Sequence, residues 1–216
     1  MFRSLVCSSL LLMSSLTLAA EYRVEPLNEP APGDGISAEV AAQLAPNGYK
    51  IMSGTRTLCE VWLTKQWPVN AAFKPSNTLL YPFEFGQLMG VVNYRRKGED
   101  FRGQEIEKGV YTLRFALQPE DGNHVGTSDT RDFFVLLKGA DDKQPANLTK
   151  ESLFKLSAAA AGTTHPAMLS LLAPGKDTSL AVENDEAKEW SILRVGGKTA
   201  TGEQPLRVVI VGKAAE

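Results

Sequence analysis

Val110-Tyr111-Thr112-Leu113-Arg114-Phe115-Ala116-Leu117-Gln118 alternates large apolar side chains with smaller or polar ones. Tyr111, Leu113, Phe115 and Leu117 fall on one face at a period of two, which predicts a half-buried strand. Downstream, Phe133-Phe134-Val135-Leu136-Leu137 is an unbroken apolar run of strand length, which predicts a strand covered on both faces. These two segments, with a turn-rich stretch between them, set the fold class as mainly β.

The same period extends outward. It begins near Tyr49 and puts Cys59, Val61 and Leu63 of Thr57–Leu63 on one face. Leu88–Tyr94, Trp190–Val195 and Leu206–Val211 are further β-rich runs. Two segments read as helices. Ile36–Leu44 is short and ends at Pro46-Asn47-Gly48. Leu148–Ala161 has Thr149 as its N-cap, Leu153, Leu156 and Ala160 on one face, and Gly162 to stop it. The expected architecture is an antiparallel β-sandwich with a short helical insertion, near 148–172, after the main strand block. The expected organisation is a single sandwich-like domain over 48–216. It is preceded by a leader arm with a short helix over 21–47, whose Pro26, Pro30 and Pro32 lie among acidic residues.

Residues 1–20, MFRSLVCSSLLLMSSLTLAA, read as a signal peptide. Arg3 supplies the positive start, an uncharged apolar run follows, and Leu18-Ala19-Ala20 is a small-residue cleavage site before Glu21. The run is shorter than the roughly 20 residues of a membrane-spanning helix, so no transmembrane segment is expected after cleavage. The expected location is periplasmic or extracellular. Cleavage would remove Cys7 and leave Cys59 alone, so the core rather than disulfides must hold the chain.

The chain has 216 residues, 23 Lys+Arg against 25 Asp+Glu, and 43% hydrophobic residues. That balance excludes a nucleic-acid partner, which calls for a basic excess, and an intrinsically disordered chain. There is no GxSxG elbow, SxxK, HExxH or Gly-rich phosphate loop.

Only a few residues suggest chemistry. His124 and His165 both lie in turn-rich connections, and with Met168 they would make a soft set suited to copper. Their separation matches no ligand spacing, and the simpler reading has each histidine bracing a loop. Asp121, Asn123, Gly126, Thr127, Asp129 and Asp132 take positions 1, 3, 6, 7, 9 and 12 of a calcium-type loop. Val125 stands where an oxygen ligand belongs, and Asp132 replaces the longer Glu. The simpler reading is a polar hairpin loop, with Asp132 pairing with Arg131 or Arg114. Cys59 next to a histidine would be a nucleophile pair, but its apolar face favours an inert buried thiol. Asp141-Asp142 and Asp185-Glu186 read as solvated surface. Trp62, Trp67, Tyr81, Phe83, Phe85 and Tyr94 crowd one third of the chain. Exposed, they would form a platform for a sugar or peptide; the simpler reading is core. Asn147-Leu148-Thr149 fits a glycosylation sequon.

Phe101-Arg102-Gly103-Gln104, Gly109–Arg114, Gln118–His124 and Arg131-Asp132-Phe133 together resemble a group of uncharacterised exported proteins of environmental, planctomycete-like bacteria. The resemblance implies an exported β-rich fold and transfers no activity, ligand or catalytic residue. The expected function is an exported, non-enzymatic module of the cell envelope that binds a ligand or an envelope partner. Two alternatives stand beside it. One is a copper- or calcium-binding protein using His124, His165 or the 121–132 loop. The other is a hydrolase with an unrecognised site.

Overall fold

The computed structural model describes residues 22–120, 128 and 130–214. In chain order the elements are β1 (Tyr22–Leu27), α1 (Ala38–Ala41), β2 (Gly48–Ser53), β3 (Arg56–Leu63), β4 (Leu88–Tyr94), β5 (Gly98–Glu99) and β6 (Glu105–Ile106). There follow β7 (Gly109–Leu117), β8 (Asp132–Lys138), α2 (Lys150–Ala161), β9 (Met168–Ser170), β10 (Ala181–Asp185), β11 (Trp190–Thr199) and β12 (Gly202–Val211).

Seven strands form one sheet in the order β1-β2-β3-β4-β7-β8-β9, and β10-β11-β12 form a second. Pairing within both is antiparallel. The large sheet curls until both its edges meet the small one. At one edge Leu171 bridges Val208, and Leu172 N–H donates to the Arg207 carbonyl at 2.9 Å. At the other, Asn184 Nδ2 donates to the Tyr22 carbonyl at 3.5 Å. Register shifts at Ile51/Met52 and Leu88/Gly90 supply local bends, as bulges do. The mainly β, antiparallel architecture is the one the strand periods predict.

The core fills the space between the sheets. Tyr111, Leu113 and Phe115 of β7 and Phe134 and Leu136 of β8 face Leu193, Val195, Leu206, Val208 and Ile210. Trp67 ties the two layers. Its backbone N–H donates to the Lys198 carbonyl at 2.7 Å, and its indole lies so close to β11 that a Cβ on Gly197 would stand 2.2 Å from the ring. Only glycine permits that approach.

The other face of β7 differs from the half-buried expectation. Thr112, Arg114 and Ala116 are also buried, because the 139–148 connection and α2 lie over them. Ala116, Val135 and Leu137 pack on Leu153 of α2. That helix starts at Thr149, whose hydroxyl accepts from Ser152 N–H, and ends at Gly162 in the left-handed region at φ 68°. Its buried stripe is Leu153, Ser157 and Ala160 rather than Leu153, Leu156 and Ala160, with Leu156 only partly covered. The smaller α1, capped by Ser37, helps cover Trp62, Leu88 and Val91 farther along the sheet.

The leader arm expected at 21–47 is a strand over its first part. β1 pairs along its length with β2, from Tyr22 opposite Ser53 to Leu27 opposite Gly48. Pro26 concealed it in the sequence. Tyr22 turns its carbonyl away from β2, toward Asn184, and the two-residue period turns the Pro26 nitrogen the same way. A proline there costs the ladder nothing and leaves the edge without a donor at that position.

The acidic pair at 141–142 is a second correction. Asp141 is exposed, but Asp142 is buried against Arg114. Arg114 Nε and Nη2 donate to the two Asp142 oxygens at 2.6 and 2.8 Å. Nη1 donates to the carbonyls of Gly86 and Ala146 at 2.7 and 2.8 Å, and Nη2 also to that of Gln144. Thr112 Oγ1 donates to Asp142 at 2.5 Å. Every guanidinium N–H is used, which is the condition for burying such a charge.

Candidate functional site

The candidate residues read from the sequence do not converge where they are described. Asp121, Asn123, His124 and Asp129 lie outside the described residues, as does most of the calcium-type loop. Asp132, at the start of β8, is fully buried. Its two oxygens accept from Leu80 N–H at 2.9 Å and Tyr81 N–H at 3.1 Å, so they hold the 78–81 segment against the sheet. Burial pushes its pKa up to about 6, against the lowering pull of those two N–H groups and of Arg131. It pairs with neither expected arginine. Arg114 is taken by Asp142, and Arg131 turns to the Gln118 carbonyl and to Glu120.

His165 is exposed in the turn after α2, where Thr163 Oγ1 accepts from its backbone N–H at 3.1 Å. Met168 opens β9. Its N–H donates to Asp100 at 3.0 Å, and its side chain packs against the clusters around Phe133 and Val135. Among the described residues no three His, Cys, Asp or Glu side chains gather in a group able to hold a metal ion.

The aromatic platform does not form. Trp62, Trp67, Tyr81, Phe83 and Tyr94 are all buried. Phe85 packs edge-on to Phe154 of α2, with ring centroids 5.9 Å apart. Cys59 is buried in the same core, and desolvation, then the Glu60 charge, pushes its thiol up to about 12, far from a nucleophile.

Among the described residues, a concavity with polar walls lies elsewhere, at one open end of the curled sheet. It is a cleft of about 650 Å³. Tyr22 and Ser53 line it from the ends of β1 and β2, and Leu58 and Tyr94 from β3 and β4. The Arg96–Glu99 segment, Gly103 and Glu105 form a further wall, and Ile210 and Val211 of β12 complete it. Its volume falls in the range of pockets that enclose small organic ligands.

The local sequence explains this wall. β4 ends where Arg95 N–H reaches back to the Leu58 carbonyl at 3.0 Å, and Arg95-Arg96-Lys97 leads into the β5–β6 hairpin. Asp100 closes that hairpin. Its carboxylate accepts from Arg102 N–H, Gln104 N–H and Gln104 Nε2 at 2.8–2.9 Å, and from Met168 N–H, which pins the hairpin to β9. Gly103, at φ 77°, makes the turn.

The three basic residues of the run meet different surroundings. Arg95 pairs with buried Glu60 at 2.9 Å. Lys97 pairs with Glu105 at 2.6 Å and Glu107 at 3.2 Å. Its hydrogen bonds to the two carboxylates raise its pKa, and the bond from Lys97 lowers that of Glu105. Arg96, half-buried in the wall, has no hydrogen bond or ion pair among the described residues. The same holds for the hydroxyls of Ser53, Tyr22 and Tyr94. Tyr94 is 2% exposed, yet its hydroxyl is not among the side-chain atoms sealed from solvent without a partner. Tyr94 lines both the cleft and a void of about 20 Å³ among Cys59, Leu113 and Leu206.

Sequence reasoning placed no candidate between 95 and 105. The available signal was the basic triplet directly after a strand, with three acids within reach of a hairpin turn. Comparison with protein-family models, with curated proteins and with solved structures finds no match for this chain.

Proposed function

We propose that the chain is an exported, non-enzymatic binding module that holds its ligand in the cleft at the open end of the curled sheet. The observation that carries this reading is the cleft itself, roomy, with polar walls, and lined by side chains that leave donors without partners. Its ionisable side chains favour binding over proton transfer. Glu105 is kept a carboxylate by Lys97, and among the described residues neither histidine nor cysteine lines the cleft. The export reading bears on the same place. Cleavage before Glu21 would leave one residue ahead of β1, with Tyr22 at the rim of the cleft.

The test uses the full chain expressed in a bacterial host with an envelope. N-terminal sequencing of the exported form should begin at Glu21. A thermal-shift panel of polar solutes on that form should find a stabilising ligand whose effect is lost in Ser53→Trp, which fills the cleft. A chain retained in the cytoplasm with its first 20 residues intact would defeat the export part. Ligands whose effect survives Ser53→Trp would defeat the cleft part.

A further inference from the structure

We propose that the cleft is a site for an oxyanion-bearing solute, a carboxylate or a phosphate, with the Arg96 guanidinium as its anchor. This rests on the cleft being the binding site. The charges around the mouth single out one cation. Arg95 is committed to Glu60, and Lys97 to Glu105 and Glu107. Arg96 lines the cleft half-buried and keeps all five N–H donors without a partner among the described residues. A guanidinium is a planar fork that meets a carboxylate or phosphate through two parallel hydrogen bonds.

The neighbouring groups suit the same ligand. Ser53 and Tyr94 line the same cleft, and their hydroxyls, without partners among the described residues, have donors to give. Glu99 also lines the cleft and would oppose an anion, so the Arg96 contact has to outweigh it. A Cβ on Gly103 would meet Glu99 Oε1 at 3.4 Å and Lys213 Cδ at 3.6 Å, so the lysine stem passes the same side of the hairpin turn as the carboxylate. The volume exceeds what a bare inorganic ion fills, so the anionic group would be one end of a larger polar solute.

Calorimetry on the exported full chain tests this, with citrate, inorganic phosphate and neutral maltotriose as probes. Citrate or phosphate should bind at low salt and maltotriose more weakly, and the tighter anion identifies the class. Arg96→Gln should weaken anion binding roughly tenfold or more, the scale of lost charge-assisted hydrogen bonds. Lys97→Gln should weaken it less than Arg96→Gln does, because it removes a nearby charge and uncovers Glu105 but takes away no hydrogen bond to the anion. Glu99→Gln should leave it equal or tighter. Circular dichroism should show all three variants folded.

Anion affinity unchanged in Arg96→Gln, or reduced as much in Glu99→Gln, would overturn the inference. Maltotriose binding that Ser53→Trp abolishes, with no anion binding, would overturn it while leaving the cleft as a binding site. No binding by any probe would count against both.

Discussion

Two arginines divide this molecule. Arg114 sits on the outer face of β7, fully buried, with its donors spread over Asp142 and three backbone carbonyls. Arg96 sits at the open end of the same sheet with no described partner. The side chains are identical and their uses are opposite. A guanidinium sealed under a loop must have every N–H matched inside the protein, because nothing else can match it. One at the rim of a water-filled cleft can leave its donors to solvent and exchange them for a ligand. Burial with complete pairing therefore marks a structural arginine, and partial burial without pairing marks an available one.

The largest effect is expected at Arg114. Asp142→Ala leaves an uncompensated buried charge and should lower unfolding free energy by about 3–5 kcal/mol. Replacing both partners, Arg114→Met with Asp142→Leu, should recover much of that loss in urea denaturation. A single variant as stable as the wild type would show that the pair is not the clasp it resembles.

Next in size is the contact between the sheets. Gly197→Ala drives a methyl into the Trp67 ring and should cost about 1–3 kcal/mol, as overpacking does. Tryptophan fluorescence followed through the same denaturation would register the disturbance.

Two buried carboxylates differ in the same way. Asp142 faces a guanidinium, whereas Asp132 is buried with only backbone N–H groups at its oxygens. Its folded-state pKa is raised to about 6 from 3.8, so the folded chain holds that proton more tightly than the unfolded one. The stability it contributes is full below about pH 4 and is lost as pH rises toward 6. The stability difference between wild type and Asp132→Asn should therefore move against the wild type across that window. A difference flat with pH would remove the raised pKa.

The smallest expected effect is at Arg96. Arg96→Gln should leave stability within about 0.5 kcal/mol of the wild type, as a surface change away from packing does. A large loss would place Arg96 with Arg114, as a structural residue.

The elements that were legible were those with an unbroken local period. β4 spans the residues expected of it, β7 and β8 fall within one residue of expectation, and α2 carries its expected Thr149 and Gly162 caps. β1 and β10 were missed because an edge strand needs no strong apolar alternation, and Pro26 broke what there was. Asp142 read as surface because it sits in a charged run, and only the loop that folds over β7 buries it. Most of the proposed site was equally illegible. Tyr22, Ser53, Arg96 and Val211 are far apart in the chain and carry no spacing that would announce them.

By itself the sequence determined the mainly β class, the positions of the central strands, the caps of α2 and the burial of the aromatics. These depend on local period and side-chain hydrophobicity, which a short window contains. Only the tertiary structure decided which polar residues are structural and which are available. That choice depends on what folds over each one: Arg114 meets Asp142, and Tyr22 and Arg96 come to line one cleft, only in the folded chain.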